Sequence, residues 1–225
     1  MATIRNIMIG ALFLLFTGLC SCTKYNYIDG GLANGVHDCT MWEYFRKDPG
    51  NWDSTMLMIE HAGLRPLFDG TGEYGQITFF GLTNMSIIRS MMDHNKGLKE
   101  TSPNYWHKVT DIDPAKCREW LERLVVPQRL MLKNIPRGYR VQQNVDGVTK
   151  WQQIDGHTFS AVRGKLFVWT QQEDYAGIPN AGETSLWIVS GNQPNTSNQR
   201  VASTDIQTTN GVVMSMNNDY KFTNI

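Results

Sequence analysis

The sequence predicts an α+β fold in which the strands pair mainly antiparallel. Helical periodicity is concentrated between residues 39 and 126, and alternating apolar segments dominate from Arg129 onward. Tight-turn pairs separate those later segments, as hairpins require. Helices early and strands late argue against a parallel, doubly wound sheet.

The N-terminus stands outside this fold. Arg5 supplies a positive charge, Ile7 to Phe16 an apolar run, and small residues follow, which reads as an export signal over residues 1–21. The run is shorter than the roughly 20 residues of a membrane-spanning helix. Leu19-Cys20-Ser21-Cys22 resembles the lipobox of bacterial lipoproteins. Cys22 fits as its acceptor better than Cys20, around which Thr17 and Leu19 replace the preferred aliphatic and small residues. The resemblance implies an acylated Cys22 at the new N-terminus, with the chain held on a membrane at about 0.8 kcal/mol per buried methylene. Thr23 is not the aspartate that retains some lipoproteins in the inner membrane, which favours the outer one. A secretory peptide cut nearby without lipid is the alternative. Cys39 and Cys117 are then left, either as a disulfide or as two buried thiols.

Residues 22–36 are rich in glycine and asparagine and read as a tether to a folded region over 37–225. Cys39 to Lys47, with Met41, Trp42, Tyr44 and Phe45, predicts a short helix before the breakers Asp48-Pro49-Gly50. Asn51 to His61 predicts a second, capped by Asp53 or Ser54 and stopped by Gly63. Ile77 to Phe80 is β-rich. Thr83 or Asn84 can cap a helix that sets Ile87, Ile88, Met91 and Met92 on one core face. Residues 93–110 read as a long surface loop carrying Tyr105, Trp106 and His107. Asp113-Pro114 opens a further helix with the stripe Trp120, Leu121, Leu124 and Val125, ended by Pro127. Strands follow around Tyr139–Gln143, Phe159–Val162, Leu166–Trp169, Leu186–Val189 and Val212–Met216, between Asp146-Gly147, Asp155-Gly156, Arg163-Gly164 and Asn210-Gly211.

Composition and motif context exclude several functions. Lysine plus arginine and aspartate plus glutamate both number 21, so no basic field draws nucleic acid. Gly70, Gly72 and Gly75 spell G-x-G-x-x-G, but a dinucleotide fingerprint must follow a strand and open a helix. Here the order is reversed, so the glycines read as a turn entering a strand and no cofactor is expected. No G-x-S-x-G, H-E-x-x-H, C-x-x-C or P-loop is present, and no enzyme activity is expected. Asp93, His94 and His107 lack metal-ligand spacing, so no metal is expected. Glu43, Glu60 and Glu122 read as solvated helix faces.

Three segments carry a family resemblance. Gln76-Ile77-Thr78-Phe79-Phe80-Gly81-Leu82-Thr83-Asn84 resembles the first signature of the fasciclin-type adhesion domain, a strand running into a Thr-Asn helix cap. Arg123-Leu124-Val125-Val126-Pro127 is similar to its middle helix ending in Val-Val-Pro. Residues 201–213, with Asp205-Ile206 and Asn210-Gly211, resemble its second signature. The match spans about Val36 to Phe222. It implies a β-wedge of two small, mainly antiparallel sheets flanked by helices, and surface recognition of proteins or glycans without catalysis. Arg123-Leu124 stands where the family often has Tyr-His, so no role of that histidine carries over.

The resemblance also marks Asp205 and Ile206 as candidate binding residues, against the plainer expectation that Asp205 satisfies turn amides and Ile206 packs. Of seven tryptophans, Trp106 and Trp151 sit beside polar loops and, with Tyr105, are candidate ligand contacts. The expected function is adhesion or recognition by a lipid-anchored envelope protein. The alternative is a glycan-capture accessory of an outer-membrane nutrient importer.

Overall fold

Capping chemistry sets the helix boundaries. In the computed structural model, which describes residues 34–190 and 197–222, helix α1 (Met41–Lys47) opens on a capping box. Thr40 accepts the Glu43 amide, and the Glu43 carboxylate accepts the Thr40 amide at 2.8 Å. The export signal, the lipobox with Cys22 and nearly all of the tether lie outside the described residues.

Helix α2 (Pro49–His61) starts earlier than the breaker run suggests. Proline has no N–H to leave unpaired in the first turn, so Pro49 begins the helix, and Asp53 and Ser54 lie inside it. A short helix α3 (Arg65–Asp69) follows, and the three glycines form the turn between it and strand β1 (Ile77–Gly81). Helix α4 (Asn84–Asn95) is capped by Thr83, whose side chain accepts the Ser86 amide at 3.2 Å. Helix α5 (Pro114–Arg123) is capped by Asp113, which accepts the Ala115 amide at 2.8 Å.

The strands that follow are β2 (Val125–Val126), β3 (Gly138–Val145), β4 (Val148–Asp155), β5 (His157–Ser160), β6 (Lys165–Gln172), β7 (Thr184–Ser190), β8 (Gln199–Thr208) and β9 (Gly211–Met216). The α+β class holds, but the two small sheets are corrected. One seven-stranded sheet runs β2-β1-β9-β8-β7-β6-β5, and β3-β4 form a separate hairpin. The seven strands join because β9 pairs on both edges, antiparallel with β8 and parallel with β1. β1–β9 is the parallel pair, and the other named pairs are antiparallel.

The core lies where helices α1, α2, α4 and α5 bring their apolar faces against β1, β2 and β9. Phe45 stacks on Trp52 with ring centroids 4.8 Å apart, and Phe68 meets Phe79 edge-on at 4.9 Å. Each such fully buried side chain contributes about 1.5–3 kcal/mol of transfer free energy. A second cluster, Phe167, Trp169 and Val189 with Trp187 packed on it, sits on β6 and β7.

Candidate binding surfaces

The three motif segments become four neighbouring strands, β2-β1-β9-β8. Phe79 faces Val125 on one side and Val213 on the other. The small residues of the motifs are explained by close approach. A Cβ at Gly211 would lie 2.1 Å from the Ile77 carbonyl oxygen, and one at Gly81 would lie 2.7 Å from the Trp52 ring. The two asparagines act as clamps. Asn84 accepts the Ser54 amide at 2.8 Å and donates to the Pro49 and Gly50 carbonyls at 2.9 Å, tying α4 to α2. Asn210 accepts the Met41 amide at 2.7 Å and donates to the Phe68 carbonyl at 2.9 Å, tying the β8–β9 turn to α1 and α3.

Asp205 and Ile206 sit where β8 departs from regular pairing. The β8–β9 register shifts twice, between Val201 and Ser203 and again between Ser203 and Ile206. Asp205 takes up the irregularity at φ 58°, a left-handed conformation that costs an L-residue about 1–2 kcal/mol. Its carboxylate accepts the Leu132 amide at 2.7 Å, and its own amide points to the Met214 sulfur at 3.4 Å. Ile206 is half-buried against the core. Both residues are thus engaged within the fold.

The loop aromatics differ in what they leave open. Trp106 is half-buried rather than displayed: its ring stacks on His94 with centroids 3.4 Å apart and planes 7° apart. Its amide and carbonyl both bond the Asn95 side chain, at 2.9 and 2.8 Å. Trp151 is half-buried, with the Arg140 guanidinium 4.3 Å from its ring centroid. Arg140 is buried, which lowers its pKa from the usual arginine value. Tyr105, in contrast, lines an open groove of about 580 Å³ with Met92, Leu98, Arg89, Lys96 and Lys221. The loop bearing it is pinned by the Asn95 bonds, by His94 bonding the Asn104 carbonyl at 3.0 Å, and by His107 bonding the Glu100 carbonyl at 3.2 Å.

Helix α4 divides the expected core face: Ile87 is buried and Met91 packs partly buried against the core, but Ile88 and Met92 do not. Ser86, Ile87 and Ser90 are buried, while Met85, Ile88 and Met92 are 44%, 43% and 67% exposed. These three recur at i, i+3 and i+7, one stripe along the outer side. The serines can go inside because the C-terminal segment supplies partners: the Ser86 hydroxyl donates to the Asn217 carbonyl at 3.2 Å, and Ser90 accepts the Phe222 amide at 3.2 Å. Met92 belongs both to the stripe and to the Tyr105 groove.

Glu122 corrects the solvated-face expectation. It is buried and bonds Arg118 at 2.8 Å and Arg163 at 2.9 Å, joining α5 to the turn before β6. Cys39 and Cys117 are buried free thiols. Burial, reinforced by the Asp113 charge, pushes the Cys117 thiol up to about 12. Among the described residues, no group of three His, Cys, Asp or Glu side chains could hold a metal ion, and no helix is long and apolar enough to cross a membrane.

No family model matches the chain, and no curated protein matches it in sequence. Among solved structures, it is similar to a FAS1 domain pair from the insect cell adhesion molecule fasciclin I, with a TM-score of 0.52 at 15% identity. The match covers 81% of this chain and 50% of that one. The chain has a FAS1-like fold and spans half the length of a structure that holds two such domains.

Proposed function

We propose that this chain is a non-catalytic recognition protein of the bacterial envelope, held through acylated Cys22 on the outer membrane and binding a surface protein through the outer face of α4. The observation that carries the reading is the exposed stripe Met85, Ile88 and Met92, continuous through Met92 with the groove beside Tyr105. Ile87 packs inside, but serines share that face while Met85, Ile88 and Met92 lie outside, and such breaks of pattern concentrate at functional sites. The groove rim is electrically balanced: Lys221 pairs with Asp93 at 3.0 Å and Arg89 with Asp219. Balanced charge around an apolar strip suits a protein surface better than an anionic bilayer. The FAS1-like fold supports adhesion as the role.

The second reading, a glycan-capture accessory serving an outer-membrane nutrient importer, draws on Tyr105 as an aromatic wall in that groove. Attachment of bacteria carrying or lacking the full chain to immobilised surface proteins and soluble glycans separates the readings. Equal attachment by both strains, or turnover of a substrate by the purified protein, contradicts the recognition role. The mass of the mature N-terminal peptide tests the anchor, and an unmodified cysteine would remove it.

A further inference from the structure

The irregular stretch of β8 opens a cleft of about 200 Å³ between that strand, the start of α2 and the segment after β9. Three stretches distant in sequence line it: Tyr44, Asp48 and Asn51; Ser203; and Asn217 with Asn218. We infer that this cleft is a second binding site, one that holds a single uncharged sugar ring. The inference rests on the recognition reading and adds to it a ligand class and a place.

The lining chemistry selects the ligand. No lysine, arginine or histidine side chain lines the cleft, and its one carboxylate, Asp48, disfavours an anion. The remaining polar groups are carboxamides and hydroxyls, which offer donors and acceptors together, as a polyol demands. Several are held in place: Asn51 donates to Asp48 at 2.8 Å, and Thr83 donates to the Asn218 carboxamide oxygen at 2.8 Å. Others are unspent: among the described residues, the Ser203 hydroxyl and the Asn217 carboxamide make no side-chain hydrogen bond.

Tyr44 supplies the apolar wall. Its ring is half-buried, and burial is the main cause that raises its pKa, with Asp48 adding to it. The Tyr44 hydroxyl adds a group that can both donate and accept. The cleft volume falls below the roughly 300 Å³ at which drug-sized sites begin, which restricts it to one ring. The irregular β8 geometry at left-handed Asp205 has a counterpart here, because strand irregularities often re-aim side chains at binding sites.

The test is saturation-transfer NMR and calorimetry on the full chain in detergent. The probes are the methyl glycosides of glucose, galactose, mannose and N-acetylglucosamine, with glucuronic acid as the charged control. Trisaccharides ending in the same rings distinguish a free sugar from a glycan end. The inference predicts saturable binding of at least one neutral ring, weakened about tenfold by Asn51→Ala and by Asn217→Ala. Lys116→Ala, at an exposed position on α5 outside both binding surfaces, leaves that binding intact. Ser203→Leu, which adds bulk to the cleft, abolishes it while the melting temperature confirms folding. Absence of saturable binding, binding indifferent to the Asn51 and Asn217 changes, or preference for glucuronic acid overturns the inference. Loss of sugar binding with surface attachment intact refutes this site alone, and the reverse refutes the α4 reading alone.

Discussion

The Asp205 carboxylate and the Leu132 amide are joined by a 2.7 Å hydrogen bond, made from a residue whose backbone sits at φ 58°. The bond secures the irregular part of β8 to the segment before β3. Asp205→Ala removes the acceptor and keeps the left-handed strain, so it should lower stability by about 1–3 kcal/mol. Asp205→Gly also loses the bond but relieves the strain, and should cost about 1 kcal/mol less. Urea unfolding of the two variants checks the order; an Ala variant as stable as the Gly variant contradicts it.

Asn84 makes three hydrogen bonds to α2, whereas Thr83 caps its own helix. Asn84→Ala is expected to cost about 2–3 kcal/mol, since it removes three hydrogen bonds at once, one of them from the half-buried Ser54 amide, against about 1 kcal/mol for Thr83→Ala. Thermal unfolding ranks them.

Gly81 lies under Trp52, where an added Cβ would approach to 2.7 Å. Gly81→Ala should destabilise by about 1–3 kcal/mol through overpacking. Trp52→Phe in the same chain should recover part of that loss, giving a coupling of about 0.5 kcal/mol or more in a double-mutant cycle. Additive effects would show that the two residues do not compete for space.

Cys117 and Tyr220 share a pH dependence. Burial raises both pKa values above their ordinary ones, Cys117 to about 12. A raised folded pKa means that the unfolded chain releases its proton first. The stability is fully present below pH 9, the ordinary thiol value, and is lost as pH climbs toward about 12. Cys117→Ala should flatten the urea midpoint between pH 9 and 11. Native protein should resist iodoacetamide at Cys117 and take up two labels on Cys39 and Cys117 after unfolding without reductant; a mass lacking both labels would reveal a disulfide.

Local chemistry made much of this fold legible. Thr83 and Asp113 cap as their types predict, Asn210-Gly211 turns between strands, and the motif segments stand side by side. What escaped depends on partners far along the chain. Ile88 and Met92 look like core beside Ile87 and Met91, until residues 217–222 pass over α4 and give Ser86 and Ser90 their hydrogen bonds. Glu122 reads as solvated because Arg163 is remote in sequence. Trp106 looks displayed because its stack on His94 requires the intervening loop to fold back. The family resemblance implies two small sheets, and the pairing of β9 with both β1 and β8 that joins seven strands has no local signal to set against it.

The most direct test is attachment by bacteria carrying the full chain with Ile88→Asp and Met92→Asp together, on the same immobilised surface proteins. Both side chains are exposed, so the variant should fold with stability changed by no more than about 0.5 kcal/mol per site. Attachment should fall about tenfold or more, as when anchor residues are removed from an interface. Attachment equal to the unaltered chain, with the variant displayed in equal amount, would contradict recognition through α4.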